Sequence, residues 1–187
     1  MAGSQIPTLH TSRLILRPFQ LSDAADVARL AGDFGVADTT AAMPHPYEPH
    51  KAEEWIASHE AASAEGREMA LAVTLRDTGE LAGAIGLRDW KSVHRHADIG
   101  YWIGRPHWGN GYATEAARAL VAYGFETLDL HRIFAHHFKR NPASGRVLEK
   151  VGMKCEGCHR EHMVRWGKFE DAVCYGILRS EFDAQPR

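Results

Sequence analysis

The pattern of hydrophobic and polar positions predicts a strand-rich first half of the chain. Residues 69–75 and 81–87 alternate large and small side chains around the turn residues 77–79, which predicts an antiparallel hairpin. A short strand over 14–18 precedes the hairpin, and a further strand over 98–103 follows it. The chain is therefore expected to place several antiparallel strands before its longest helix.

A first helix is predicted between the opening strand and the hairpin. Ser22 is expected to cap it, with Asp23 and Asp26 in or near its opening turn and its end near Gly32. The segment 33–49 contains three prolines and little periodicity, which is typical of a loop. Because binding residues concentrate on loops, we interpret it as a substrate-side loop.

Three more helices are predicted further along the chain. The second covers 51–64, and the third runs over about 111–128 with an apolar face formed by Ala117, Leu120, Val121, Gly124 and Leu128. The fourth has Asn141 as its cap, Pro142 at its first position and Gly152 just past its end.

The remaining strands complete an α+β pattern without internal repeats. A strand is predicted over 131–139, and a final hairpin joins 154–165 to 170–178 around the turn 166–168. Most neighbouring strands are therefore antiparallel. An edge strand such as 170–178 also makes a homodimer possible, although nothing in the sequence requires one.

Length and charge narrow the class of protein. With 187 residues and no Pro/Ser-rich linker, the chain is expected to form one domain over 1–187, with a core of about 11–182. The 22 basic and 24 acidic side chains give a net charge of −2, so no overall positive field favours nucleic acid or anionic lipid.

The chain also lacks the usual signals for export or membrane insertion. No stretch approaches the roughly 20 apolar residues of a membrane span, and residues 1–4 lack the charged-then-apolar order of a signal peptide. Three cysteines do not suggest a disulfide scaffold. We therefore expect a cytoplasmic protein.

The junction between the strand at 98–103 and the third helix is the most informative segment. Gly109 and Gly111 allow a tight turn, and the unpaired amides of the helix start favour a phosphate. A Walker loop is excluded because Tyr112 and Ala113 follow the last glycine instead of Lys and Ser/Thr. A dinucleotide-binding unit is opposed by the hairpin-linked strands upstream. The predicted ligand carries a pyrophosphate.

Five runs of residues resemble one family. Residues 108–113 resemble the acyl-CoA loop of the GNAT acetyltransferases, Q/R-x-x-G-x-G/A, with Gly111 and Ala113 in its last two positions. Trp108 stands where that pattern has Gln or Arg, and instead resembles the W-G-x-G-Y-A-T-E-A run of the RimJ/RimL-like branch. The other runs that resemble this branch lie at 13–18, 97–103, 141–144 and 150–153.

The resemblance implies a fold and an activity. The implied fold is α+β and GNAT-like, with a mostly antiparallel mixed sheet of about six to seven strands, splayed at the acyl-CoA site and flanked by about four helices. The implied activity is transfer of acetyl from acetyl-CoA to a primary amine by direct attack in a ternary complex, with CoA as product. A protein N-terminus and a small molecule are both possible acceptors. A non-catalytic CoA-binding sensor and a nucleotide-dependent oxidoreductase remain alternatives.

The cofactor-binding residues follow from the same resemblance. Backbone amides of the glycine loop would hold the pyrophosphate, the splayed strand would face the pantetheine and thioester, and Asn141 would reach the pantetheine chain. The residues concerned are Tyr101, Trp102, Ile103, Gly109, Asn110, Gly111, Tyr112, Ala113, Thr114, Asn141 and Ser144.

The catalytic candidates follow from the chemistry of the transfer. An ammonium group must lose a proton before it attacks, and Asp98 is the first choice of base, although it could instead be paired with Arg95 or His96. Glu68 and water are the other candidates. Ser144 resembles the proton donor to the leaving thiolate, and Tyr175 ranks below it.

One motif suggests other chemistry. Residues 155–159 read C-x-x-C-H, the haem-attachment signature, which we interpret as accidental because the chain has no export signal. In a regular strand, residues three apart face opposite sides, which also opposes a zinc site. His136 and His137 are adjacent and point apart for the same reason, so no metal site is predicted.

Overall fold

A computed structural model describes residues 6–90 and 93–185, so residues 1–4, in which no signal peptide was recognised, lie outside the described part. Its strands are β1 (Leu9–His10), β2 (Leu14–Arg17), β3 (Glu68–Leu75), β4 (Leu81–Arg88), β5 (His96–Ile103), β6 (Arg132–Phe138), β7 (Lys154–Arg165) and β8 (Lys168–Leu178). They form one sheet in the order β1-β2-β3-β4-β5-β6-β8-β7, in which only β5 and β6 pair in parallel. The predicted mixed, mostly antiparallel sheet is confirmed, with eight strands in the described part instead of six to seven.

The helices are more numerous than the four predicted. They are α1 (Ala24–Ala31), α2 (Phe34–Ala37), α3 (Pro49–Ala57), α4 (His59–Glu65), α5 (Tyr112–Glu126), α6 (Pro142–Lys150) and α7 (Arg179–Asp183). The helix predicted over 51–64 is divided at Ser58, whose hydroxyl donates to the carbonyl of Trp55. The predicted substrate-side loop contains the short helix α2, capped by Asp33. No helix in the described part of the chain has the length and hydrophobicity needed to span a bilayer.

Two helix ends differ from the prediction. Ser22 lies inside a 3-10 turn, and the carboxylate of Asp23 instead accepts from the backbone N–H of Gln20 while it pairs with Arg17. The second difference is in α5, which stops at Glu126, so Leu128 packs against the core from beyond the helix, next to fully buried Phe125.

The strands β5 and β6 pair over three residues and then separate. Their register runs from His96 opposite Arg132 to Asp98 opposite Phe134. Beyond this point β5 continues its ladder with β4, whereas residues 135–138 of β6 pair with β8. We call the space between residues 99–103 of β5 and 135–138 of β6 the β5–β6 gap. It confirms the predicted splay.

The two faces of the sheet bury separate hydrophobic clusters. One face carries Ile99, Tyr101 and Ile103 and packs against α5 and α6. The opposite face carries Trp102 and packs against α1 and α3. The β5–β6 gap therefore lies beside α5 and α6 on one side of the sheet.

The final hairpin contains an irregularity that changes which cysteines share a face. Cys155 lies opposite Tyr175 and Cys158 lies opposite Val173, because a bulge between Cys155 and Gly157 inserts one residue. Since Tyr175 and Val173 are two apart on β8, the two cysteines face the same side, and the expectation of opposite sides was wrong. Among the described residues, no group of three or more His, Cys, Asp or Glu side chains is arranged to hold a metal ion.

A buried histidine gives this fold a predicted sensitivity to acid. His59 is 5% exposed between the rings of Phe19 and Trp55, and burial lowers its pKa to about 4. The unfolded chain therefore binds this proton more readily, and the free energy of unfolding should fall as pH drops from about 6.5 to about 4. We expect a loss of up to about 3 kcal/mol, measured by urea unfolding across this range.

His59→Phe should remove much of this pH dependence, because a phenyl ring cannot be protonated. His50→Phe is the matched control, since the side chain of His50 is exposed. An unchanged pH dependence in the His59 variant would show that another group controls acid unfolding.

Candidate acyl-CoA site

The start of α5 presents unpaired backbone amides. Gly109 and Gly111 both have φ of 79°, in the left-handed region that favours glycine. Gly111 is the N-cap of α5 and provides no side chain to accept from the first turn. The N–H groups of Tyr112, Ala113 and Thr114 are therefore available to a ligand, and the positive end of a 15-residue helix favours an anion there.

Two contacts hold the glycine loop in place. The indole N–H of Trp108 donates to the carbonyl of Ile103, at 2.6 Å, and so ties the loop to the end of β5. The side-chain amide of Asn110 donates to the carbonyls of His107 and Trp108. Trp108, which departs from the general GNAT pattern, thus has a structural role at the edge of the β5–β6 gap.

Glu115 fastens the first turn of α5 to the turn between β1 and β2. Its carboxylate accepts from the hydroxyls of Thr11 and Ser12 and from the backbone and side chain of Arg13, at 2.7–2.9 Å. Burial alone would raise the pKa of Glu115, but these hydrogen bonds lower it to about 2. The anchored Arg13 lies 5.0 Å from the centre of the Tyr112 ring and donates to the carbonyl of Asn110.

Glu115→Gln should lower the free energy of unfolding by about 1–3 kcal/mol near neutral pH, because hydrogen bonds to a charged acceptor are lost. A carboxyl whose pKa is lowered by folding adds to the free energy of unfolding above its unfolded pKa. This added stability is lost as pH falls toward about 2. The variant should therefore differ less from the parent in strong acid. Chemical unfolding at several pH values measures this, with exposed Glu126→Gln on the same helix as the control. Equal effects of the two changes would contradict the anchoring role.

A cavity of about 610 Å³ lies beside the glycine loop. Its lining combines backbone and cationic side chains: Thr11, Ser12, Arg13, Gly111, Thr114, Glu115, Arg118, Ala119 and Lys150. The guanidinium of Arg13 lies 3.6 Å from the position that a Cβ atom on Gly111 would occupy. Backbone amides alone were expected to hold the phosphate, and the structure adds basic side chains at the same place.

Backbone N–H groups of β5 point into the β5–β6 gap. The N–H of Gly104 donates to the carbonyl of Ala82, so Ile103 occupies a non-hydrogen-bonded position opposite β4. By the alternation of an antiparallel ladder, Tyr101 is in the same position, and the N–H groups of both residues face away from β4. The side chain of Trp102 is buried on the opposite face, and by the same alternation its N–H and carbonyl pair with β4, so neither its side chain nor its backbone polar groups point into the gap.

The N-terminus of α6 contributes three polar groups near the gap. Asn141 caps the helix by accepting from the N–H of Ser144, as predicted. The hydroxyl of Tyr101 reaches Ser144, 2.8 Å from its Oγ and 3.2 Å from its carbonyl oxygen. Burial raises the pKa of Tyr101 to about 12, so its hydroxyl remains protonated. The fold thus brings Tyr101, Asn141 and Ser144 together.

Asp98 lies where β5 and β6 separate. It is paired with Arg88 on β4, at 2.5 Å, and not with Arg95 or His96. Burial raises its pKa, while the charges of Arg88 and His136 oppose this shift. One carboxylate oxygen, Oδ1, is buried without a hydrogen-bond partner in the described part of the chain. A buried carboxylate oxygen without a partner can accept a proton, so Asp98 remains the first candidate for the base.

The other catalytic candidates lie further from the gap. Glu68 on β3 lies opposite Arg88 on β4, which in turn lies opposite Asp98 on β5. Glu68 is therefore two strands away from the strand that borders the gap. The hydroxyl of Tyr175 is bonded to Glu149 of α6, at 3.0 Å, which occupies its proton. Ser144 is therefore better placed as a proton donor than Tyr175.

Comparisons with known proteins identify the family of this chain. Residues 13–154 match the acetyltransferase (GNAT) domain family, and the chain belongs to that family. It is 37% identical to the uncharacterized N-acetyltransferase YoaA of Bacillus subtilis strain 168 over 92% of this chain and 97% of YoaA. It is 29% identical to spermidine N(1)-acetyltransferase of Escherichia coli K12 over 57% of this chain and 58% of that protein.

A solved structure shows the same fold. Mycobacterium smegmatis RimJ, in complex with a CoA-disulfide, superposes with a TM-score of 0.84 and 24% identity over 96% of this chain and 90% of RimJ. The chain is thus a GNAT-type N-acetyltransferase, as predicted, and it shares the fold of RimJ, in agreement with the predicted resemblance to the RimJ/RimL-like branch.

Proposed function

We propose that this protein transfers acetyl from acetyl-CoA to a primary amine by direct attack within a ternary complex. The observation that carries this proposal is the β5–β6 gap, into which the N–H groups of Tyr101 and Ile103 point. The uncapped start of α5 lies at the end of the same strand. A thioester in the gap and a pyrophosphate at α5 would use both features.

Each step of the transfer has a candidate group. The amides of residues 111–114 would bind the pyrophosphate, and the Tyr101 N–H would donate to the thioester oxygen as negative charge develops there. Asp98 would accept the proton of the attacking ammonium group, directly or through water. Asn141 would contact the pantetheine chain, and Ser144 would stabilise the departing thiolate.

The acceptor is proposed as a primary amine of a protein N-terminus or of a small molecule. GNAT folds support many acceptors through their peripheral loops, so the fold does not choose between them. In this chain, segment 33–49 is the candidate specificity element. Arg165 fastens it by donating to the carbonyls of Ala37, Ala41 and Met43, and Trp166 by donating to the carboxylate of Asp38.

Thermal unfolding with acetyl-CoA, CoA, NAD and NADP in parallel tests the cofactor. A ligand that binds the folded state alone raises the melting temperature. We expect acetyl-CoA and CoA to do so, and NAD and NADP not to. A shift with NAD(P) alone would favour an oxidoreductase and overturn the proposal.

A thiol-release assay then tests turnover with N-terminal peptides, polyamines, aminoglycosides and amino acids. Release that depends on an amine would support the enzyme. Tight CoA binding without release across the panel would favour a CoA-binding sensor.

A further inference from the structure

The hydroxyl of Tyr101 bridges two elements that would lie on either side of the reacting thioester. Tyr101 belongs to β5, at the β5–β6 gap, and its hydroxyl contacts both the Oγ and the carbonyl oxygen of Ser144 at the start of α6. The resemblance placed Tyr101 in the cofactor site as part of the splayed strand, without a separate role for its hydroxyl. The contact gives its side chain a role that requires explanation.

The two hydroxyls can share their protons in two ways. Each has one proton to donate and can accept others. In one arrangement Tyr101 donates to the Ser144 carbonyl and Ser144 donates to Tyr101, so both protons are occupied. In the other, Tyr101 donates to the Ser144 Oγ, and the Ser144 proton is free to point elsewhere. Both arrangements use the same heavy-atom positions.

We propose that Tyr101 is a positioning residue, which holds the Ser144 Oγ as its acceptor so that the Ser144 proton points at the departing sulfur. This inference rests on the proposed acetyl transfer. A negative charge that develops on sulfur favours the second arrangement, because a hydrogen bond to an anion is stronger than one to a neutral hydroxyl. A phenolic hydroxyl that keeps its proton can serve as the donor throughout the reaction.

The bonds and charges balance without a net change on either residue. The amine nitrogen forms the new C–N bond. The C–S bond breaks, and the electron pair of the C–S bond goes to sulfur. The nitrogen loses its remaining extra proton to the base and then to solvent, and the CoA thiolate is protonated from solvent after release. Ser144 supplies a hydrogen bond to sulfur, and Tyr101 supplies one to Ser144.

The chain offers a matched pair of tyrosines for the test. Tyr101→Phe and Tyr175→Phe each remove one hydroxyl that bonds to α6, but Tyr175 bonds to Glu149 and not to Ser144. We expect Tyr101→Phe to lower kcat about tenfold, with the KM for acetyl-CoA unchanged, because one oriented hydrogen bond in the transition state is lost. Tyr175→Phe should lower kcat less than Tyr101→Phe, because the hydroxyl of Tyr175 does not contact Ser144.

Two further measurements separate positioning from general destabilisation. In a Ser144→Ala background, Tyr101→Phe should cause no additional loss of kcat, since its target is absent. The parent protein should bind CoA more tightly than desulfo-CoA at alkaline pH, and Tyr101→Phe should reduce this preference, whereas Tyr175→Phe should not. Melting temperatures of all variants show whether the fold is intact.

The outcomes distinguish this inference from the proposed function. Two results would overturn the positioning role and leave the proposed function intact. One is amine-dependent turnover in which both Tyr→Phe changes lower kcat equally. The other is a Tyr101→Phe loss of kcat that is just as large in the Ser144→Ala background. A parent protein that binds neither CoA nor acetyl-CoA would overturn both.

Discussion

Replacing Gly111 by leucine is expected to weaken acetyl-CoA binding by about 100-fold. This is the effect of losing roughly one or two charge-assisted hydrogen bonds. Gly111 has φ of 79°, and its Cα borders the cavity that contains Arg13 and the start of α5. A side chain there would occupy the space in which a pyrophosphate approaches the amides of α5, and the left-handed backbone would be strained. Isothermal titration with acetyl-CoA measures the effect.

Gly79→Leu is the control for backbone strain. Gly79 has φ of 75° in the turn between β3 and β4, with open space around its Cα. Both variants should lose similar stability, but Gly79→Leu should bind acetyl-CoA as the parent does. Parent-like affinity in folded Gly111→Leu would contradict the assignment of the glycine loop.

Asp98→Asn is expected to lower kcat by about 100-fold or more, the range for removal of a general base. As a base, Asp98 acts in its ionised form, so activity should rise with pH through its raised pKa. The amide cannot accept the proton, and the acidic limb of the kcat profile assigned to this group should disappear. Steady-state kinetics across pH, with acetyl-CoA saturating, measures both effects.

Two neighbours of Asp98 provide controls. Arg88→Gln removes the cation that lowers the pKa of Asp98, so the acidic limb should move to higher pH. Glu68 lies two strands from the gap, so Glu68→Gln should leave the acidic limb of the kcat profile in place. If the complete profile survives Asp98→Asn, Asp98 is structural, and Glu68 or water accepts the proton.

Local elements were predicted where neighbouring residues decide the structure. The hairpin of β3 and β4 was confirmed almost residue by residue, because alternating side chains and the turn at residues 77–79 act within one short segment. Asn141, Pro142 and Gly152 also occupy the predicted positions around α6, since capping depends on backbone groups nearby in sequence.

Predictions were wrong where a contact between elements outweighs a local preference. Ser22 is a good cap by composition, but it lies inside a 3-10 turn, in which the carboxylate of Asp23 accepts from Arg17 on β2 and from the N–H of Gln20. The two cysteines of the C-x-x-C-H motif share a face because the pairing with β8 contains a bulge. Neither Arg17 nor the bulge changes the local periodicity from which these features were predicted.

The sequence by itself determined the order of the main strands and helices, the glycine loop and the family resemblance, because these depend on periodicity and contiguous motifs. The tertiary structure decided which groups meet: Arg88 with Asp98, Tyr101 with Ser144, and Glu115 with the turn at residues 11–13. These partners are between 10 and 104 positions apart in the chain. Sheet register and helix packing bring them within hydrogen-bond distance, and a local pattern carries no information about either.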